Sequence, residues 1–324
     1  MPFMRSEREL ILASKEFAVE SPVRSWLELL ITLAALAGTL SLIFLIDSIL
    51  VRIPLSVLCG LLYVRLFVIY HDYRHRAILK NSGLATILMK FIGLWVLAPE
   101  QIWNRSHEHH HNNNSKLTMS GIGSYPTISK TRFNTLTPQQ RTLYLINRHP
   151  LTILVGYLTL FIYWLNLKSF MESPRRHFDS LGSLLLHGSA IALIWIYAGL
   201  ATALLAWIVP FFIMSAMGAY LFYCQHNFPG ARFAEGQQWS YINAALQSTS
   251  FMVMSPVMRW FTASIGFHHV HHLNSRIPFY RLEEALHTMP ELHGAGTTSW
   301  NPLEVYRCLR LKVWDEEKGE LTPL

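Results

Sequence analysis

From Leu181 to Tyr223 the chain runs for 43 residues without an Asp, Glu, Lys or Arg. At about 1.5 Å of rise per helical residue, such a run covers roughly two hydrocarbon thicknesses of about 30 Å. Gly199 lies near its middle. The pattern predicts two membrane helices, 182–199 and 201–223, joined by a tight turn. Two earlier apolar runs repeat the pattern. Leu29 to Ile46 carries no charge, and Ile53 to Tyr70 is interrupted only by Arg65. Spans 29–46 and 53–70 therefore form a first hairpin around a short loop, Asp47 to Arg52. Arg65 lies near the end of its span, where its side chain is expected to snorkel to the interface.

Composition agrees with a bilayer protein. Hydrophobic residues make up 51% and charged residues 15%, against about 25% charged in soluble domains. The net charge of +7 is read as a basic face beside anionic lipid, not as a nucleic-acid surface. With three cysteines and no CxxC, no structural disulfide is expected. Met1 to Arg24 is charged and lacks the continuous apolar core of a signal peptide. Residues 7–20 fit a short amphipathic helix, on the membrane surface or on the polar portion.

Two further apolar segments, 84–98 and 151–167, are short for a crossing and are expected at the interface or re-entrant. Only Arg52 then falls in an outer loop and only Arg65 in a span. The remaining Lys and Arg lie on the side of the polar segments, which the positive-inside rule makes cytoplasmic. The fold expected is all-α and integral to the membrane. It has four transmembrane helices in two hairpins, interfacial helices, and a cytosolic cap formed by 71–150 and 224–324, all within one domain, 1–324.

The sixteen histidines are not scattered. His71-Asp-Tyr-Arg-His75 is an HxxxH. His107-Glu-His-His-His111 and His268-His-Val-His-His272 are each HxxHH. Residues three and four apart share a helix face, so each cluster can aim two or three imidazoles at one point. The spacing selects His71, His75, His107, His110, His111, His268, His271 and His272. His226, just past the last span, is a ninth candidate. His109 and His269 point to other faces. His149, His177, His187, His287 and His293 are isolated and are read as ordinary hydrogen-bonded or solvated histidines. Eight or nine imidazoles exceed the four of a structural zinc and suit a dimetal site with open positions. Asp72, Glu108 and Asn227 adjoin ligands, and each can orient a histidine from a neighbouring helix.

These boxes, in this order and at these distances from the spans, resemble the three histidine boxes of the membrane fatty acid desaturase family. Gln225-His-Asn-Phe and Leu273-Asn-Ser-Arg-Ile-Pro-Phe-Tyr-Arg-Leu282 are similar to the omega-type desaturases of bacteria and plastids. Tyr73-Arg74 departs from the Cys-Gly that many omega desaturases carry in the first box. The resemblance covers about residues 30 to 290. It implies two iron ions (Fe2+) held by the eight histidines, with His226 similar to the extra histidine before the last box. It also implies oxygen-dependent insertion of a cis double bond into an acyl chain carried by membrane lipid, CoA or acyl carrier protein. No catalytic residue beyond the metal ligands is identified.

No nucleotide fingerprint, four-cysteine cluster or His-Pro-Gly-Gly haem motif accompanies the boxes. A separate electron carrier such as ferredoxin is therefore expected. The nearest rival function keeps the site and changes the outcome: a membrane hydroxylase or ketolase acting on lipid, alkane or carotenoid. A metal transporter or storage protein would place histidines along a path through the bilayer, and among the spans only His187 is so placed.

Overall fold

The computed structural model describes residues 5–119 and 121–324. Among these residues, four helices are long and apolar enough to cross a bilayer: Pro22–Leu45, Ile49–Arg74, Phe178–Ala198 and Leu200–Cys224. They form the two expected hairpins, but each helix outruns its apolar stretch. Ser21 starts the first by accepting the Arg24 amide, and Pro22 follows at the position where its missing N–H costs nothing. The second begins at Ile49, so Arg52 lies in its first turn and not in a loop. There Arg52 Nη2 donates to Thr202 Oγ1 at 2.7 Å. In the second hairpin Gly199 makes the turn at φ +83°, a conformation that favours glycine.

The second and fourth spans pack closely. A Cβ on Gly60 would stand 2.7 Å from Ile213 Cβ, so only glycine allows this approach. The first and third spans are outermost, with 28% and 11% of their apolar windows buried, so most of their side chains meet lipid.

Arg65 does not snorkel. It is 1% exposed and donates to Thr32 Oγ1 at 3.0 Å, to the Trp260 carbonyl and to Glu28 Oε2. Its guanidinium also lies 4.0 Å over the Trp260 ring. The first span reaches about two turns further than its uncharged run and brings Glu28 to Arg65. An ion pair between a buried guanidinium and a half-buried carboxylate therefore replaces the solvated end, joining two spans to the cap.

Helix Gly83–Trp95 bends by 87° into helix Glu100–Asn113. Irregular backbone at this depth needs donors. Ser183 Oγ, Asn166 Nδ2 and Tyr70 Oη supply them to the carbonyls of Leu94, Leu97 and Ala98 at 2.7, 2.9 and 2.9 Å. Segment 150–172 lies along the fourth span, where a Cβ on Gly156 would meet Ala219 Cβ at 2.9 Å. Its central part, Tyr157–Lys168, is wound as a π-helix, a form that widens the turn and tends to occur at functional sites.

The cap adds two small sheets to an otherwise helical chain. Phe251–Val253 pairs in parallel with Thr297–Ser299, and Val313–Asp315 pairs antiparallel with Glu320–Thr322. The N-terminal helix Glu7–Ser14 is closed by a Ser6/Glu9 capping box and rests on the cap, through Arg5 to Glu291 at 3.3 Å and Asn274 Nδ2 to Ser14 Oγ at 3.0 Å. All three cysteines are free and buried.

Candidate metal centre

Four chain segments end at one place. The second span continues through His71 to Arg74, with His75 as its C-cap. The bent helix Glu100–Asn113 carries His107, His110 and His111 back over the span ends. The fourth span stops at Cys224, two residues before His226. A six-residue helix, His268–Leu273, closes the site from the cap.

The nine imidazoles sort into two groups: His71, His75, His107, His111 and His271 in one, and His110, His226, His268 and His272 in the other. Within each group the nearest ring nitrogens lie within 4.8 Å of one another. Helical spacing does the sorting. His107 and His111, four apart, face the first group while His110 faces the second. On the last helix His268 and His272 face the second group while His271 faces the first. Two helices thus each serve both groups.

In the first group His107 Nε2 lies 2.8 Å from His71 Nε2, 2.9 Å from His75 Nε2 and 3.1 Å from His111 Nε2. His271 Nε2 is 3.2 Å from His111 Nε2. In the second, His226 Nε2 lies 3.1 Å from His110 Nε2 and 3.0 Å from His268 Nε2. A neutral imidazole nitrogen has one proton or one lone pair. His107 Nε2 can therefore satisfy one of its three neighbours by hydrogen bonding, not all three. A cation among the lone pairs satisfies them together. With metal–nitrogen bonds of about 2.1 Å, adjacent ligands of a six-coordinate ion stand about 3.0 Å apart, which is the spacing seen. The residues present fit a pair of metal ions.

Electrostatics agree. Burial holds His226 down to about 4 and carries His268, His271 and His272 well below the ordinary histidine range, with neighbouring histidines adding to the effect in the last three. At neutral pH these rings are uncharged and offer lone pairs.

The residues flanking the ligands divide. Asp72 is fully buried; its Oδ1 lies 3.3 Å from His71 Nδ1 and its Oδ2 accepts the Phe279 amide at 2.7 Å. It therefore meets the ring beside it and not one from another helix. Glu108 lies on the exposed face of its helix, away from the rings. Asn227 is buried, but its Oδ1 accepts from Arg148 Nη2 at 2.6 Å and its Nδ2 donates to the Tyr223 carbonyl at 3.0 Å. Its amide faces a buried arginine and not a histidine. The acceptor at His226 Nδ1 is instead the Ser248 carbonyl, at 3.3 Å. A backbone group of this kind leaves no mark in the residue pattern.

His109 and His269 stay outside both groups. His109 Nε2 lies 3.4 Å from the Met119 carbonyl, and the His269 ring is 6.1 Å from that of Phe251. His187 sits in the membrane between Tyr157 and Trp207.

One feature beyond the boxes has a signal in the sequence. Four residues before His71, His107 and His226 stand Phe67, Trp103 and Phe222, each one turn further from the cap side. Trp103 stacks on His107 with centroids 4.9 Å apart, and Phe222 packs on His110 at 4.9 Å. These three aromatics form a collar beside His107 in the lining of a cavity of about 440 Å³. Its walls are mainly apolar and include Ile102, Leu160, Phe161, Trp164 and Gly218, with His107 exposed to it and Lys168 and Glu172 among its lining. A mainly apolar cavity reaching a metal centre suits a long hydrocarbon chain.

Comparison with known proteins gives the same family. The family model described as fatty acid desaturase matches residues 47–302. The chain is 27% identical to the fatty acid desaturase of Bacillus subtilis (strain 168), over 97% of this chain and 90% of that one. It is 24% identical to a chloroplastic omega-6 fatty acid desaturase of Glycine max, over 94% of this chain and 72% of the relative. It is also 24% identical to the sn-1 acyl-lipid omega-3 desaturase (ferredoxin) of Synechocystis sp., over 79% and 69%.

Proposed function

The chain belongs to the fatty acid desaturase family, and we propose that it works with one iron ion in each histidine group, an acyl chain in the cavity beneath them, and an external electron carrier. It is a membrane oxidoreductase that desaturates lipid acyl chains. The observation that carries the proposal is the sorting of nine imidazoles, eight buried and His75 half-buried, into two groups whose Nε2 atoms approach to 2.8–3.3 Å, beside an apolar cavity.

His71, His75, His107, His111 and His271 hold the first iron, and His110, His226, His268 and His272 the second. When bound, the irons supply the dioxygen chemistry that removes two hydrogens from neighbouring unactivated methylenes. Every other task falls to the protein. Asp72 and the Ser248 carbonyl accept Nδ1–H from His71 and His226, which fixes the tautomer that leaves Nε2 free to ligate. The collar of Phe67, Trp103 and Phe222 excludes water and steers the chain toward His107. Holding one carbon pair against the metals is what an oriented reaction of this kind requires. Overall, dioxygen is reduced to two waters by the two hydrogens from the chain together with two electrons and two protons from outside.

Those outside electrons come from a separate carrier, and a ferredoxin fits best, given the ferredoxin-dependent relative from Synechocystis. Neither hairpin turn contains a Lys or Arg, while the cap carries most of them, which supports a cytoplasmic active site. Residues 1–324 act as one desaturase domain, with 71–150 and 224–324 closing over the spans.

The test is expression in a host that makes only saturated and monounsaturated lipids, with mass spectrometry of total fatty acids beside a His271→Ala control. A new unsaturated product absent from the control, and two irons per purified chain, is the expected result. A hydroxylated or oxo product would overturn desaturation, and a chain that retains no iron would overturn the metal assignment.

A further inference from the structure

We infer that Gly218 sets the chain length this enzyme accepts, by leaving open the part of the cavity that runs along the fourth span beyond the aromatic collar. The inference rests on the reading of the cavity as the acyl site.

His226, Phe222 and Gly218 are spaced by four residues and lie along one side of the polypeptide as it leaves the membrane. At about 1.5 Å per residue, Gly218 stands roughly 6 Å deeper in the bilayer than Phe222. Phe222 packs on His110, so it marks the metal end of the cavity, and Gly218 lines the same cavity one turn below. Two glycines in or beside the neighbouring helices are explained by close packing. A Cβ on Gly60 would meet Ile213 at 2.7 Å, and one on Gly156 would meet Ala219 at 2.9 Å. A Cβ built at Gly218 meets nothing within 4 Å, as at Gly38, Gly182 and Gly188, but of these four only Gly218 lines the cavity. No neighbouring helix needs the space it leaves.

Glycine in a helix interior costs up to about 1 kcal/mol relative to alanine. At a position where a side chain would clash with nothing, that cost has no packing return in the protein alone. It has one if hydrocarbon occupies the space. A side chain at 218 would then shorten the cavity on the side away from the metals. The methylene pair beside His107 stays in place, and what changes is how much chain fits past it. One methylene in an apolar pocket is worth about 1–3 kcal/mol, or about 10–200-fold in discrimination.

The experiment is a series Gly218→Ala, Gly218→Val and Gly218→Leu. Each variant is expressed in the desaturation host supplied with palmitate and stearate in equal amounts. Products are resolved by chain length, and iron per chain is measured on the purified protein. The expected result is a ratio of palmitate-derived to stearate-derived products that rises stepwise with side-chain size, by about tenfold or more at leucine, while iron content stays at the wild-type level. An unchanged ratio with full iron content overturns the inference. So does an equal loss of both products with full iron content, which would mean that bulk at 218 blocks entry and does not measure length. Loss of iron in the leucine variant alone leaves the alanine and valine steps to decide. If the unaltered protein makes no unsaturated product from either acid, it is the desaturase reading that fails.

Discussion

The rings of His111 and His272 lie face to face, with centroids 4.2 Å apart and planes within 14° of parallel, although their nitrogens serve different groups. The two metal positions therefore share a wall. Replacing His272 by alanine removes one ligand from the second group and the packing that holds His111 in the first. The expected result is loss of more than one iron per chain and a fall in product beyond the roughly 10–100-fold typical of losing an outer partner. Iron analysis on purified variants checks this. Retention of a full first iron in His272→Ala would show that the groups are independent.

Among the described residues Asp72 is the one buried carboxylate that touches a proposed ligand, and it holds the Phe279 amide with its other oxygen. Asp72→Asn keeps the shape but alters what Nδ1 of His71 can donate to. Iron affinity is expected to drop by about 10–100-fold. Competition with a chelator measures this directly, and wild-type affinity would show that Asp72 only anchors the loop at Phe279.

Arg65 and Glu28 make a different kind of prediction, on stability and not on chemistry. Removing one member of a buried ion pair leaves the other charge uncompensated, at a cost of about 3–5 kcal/mol, while replacing both by apolar groups is often neutral. Glu28→Leu alone, which strands the buried Arg65 guanidinium while Arg24 loses only an exposed partner, is expected to lower the thermal midpoint in detergent sharply. Arg65→Met with Glu28→Leu is expected to recover much of it. A double variant no better than the single one would mean that the Trp260 contact, not the ion pair, carries the stability.

Acid should unfold the protein and release its metal together. The buried histidines of the centre have native values below the unfolded value of 6.5, His226 at about 4. Above 6.5 both states are neutral and the stability is fully present. As pH falls below 6.5, the unfolded chain takes up protons that the native one refuses, so stability is lost progressively down to about 4. His226 contributes about 1.4 kcal/mol per pH unit in that window, and the other buried histidines act in the same direction. Melting curves and retained iron from pH 7.5 to 5 should fall together, and a flat profile to pH 5 would contradict the neutral buried cluster.

Much of this was readable from residue order, for identifiable reasons. Charge-free runs mark spans because a bilayer penalises charge, and the four spans appear within seven residues of the apolar limits. The histidines were legible because three- and four-residue spacing is a helical face, and the nine singled out by spacing and position are the nine that converge. What was not legible depends on distant pairing. Glu28 lay one residue outside an uncharged run, so Arg65 had no visible partner. Asn227 adjoins a ligand, yet its amide is taken by Arg148 from a segment 79 residues away. The Ser248 carbonyl carries no side-chain signature. Adjacency in sequence could not separate Asp72, which faces the site, from Glu108, which faces outward.

Trp103 tests whether the collar acts on the substrate or only on the fold. It stacks on His107 at 4.9 Å, meets Phe67 edge to face at 5.1 Å, and lines the cavity. Truncation of this partly buried aromatic to alanine would cost up to about 3–5 kcal/mol, so a fall in activity alone would say little. Trp103→Phe keeps an aromatic face on His107 while giving the chain more room. With iron content and melting temperature near wild type, product formation is expected to fall about tenfold or more, and the remaining product to be spread over more than one double-bond position, because the methylene pair is no longer held in one register. The position of the bond in the residual product, read by mass spectrometry of derivatised fatty acids, separates the two roles. A collar that only supports His107 would lower the rate and leave a single isomer.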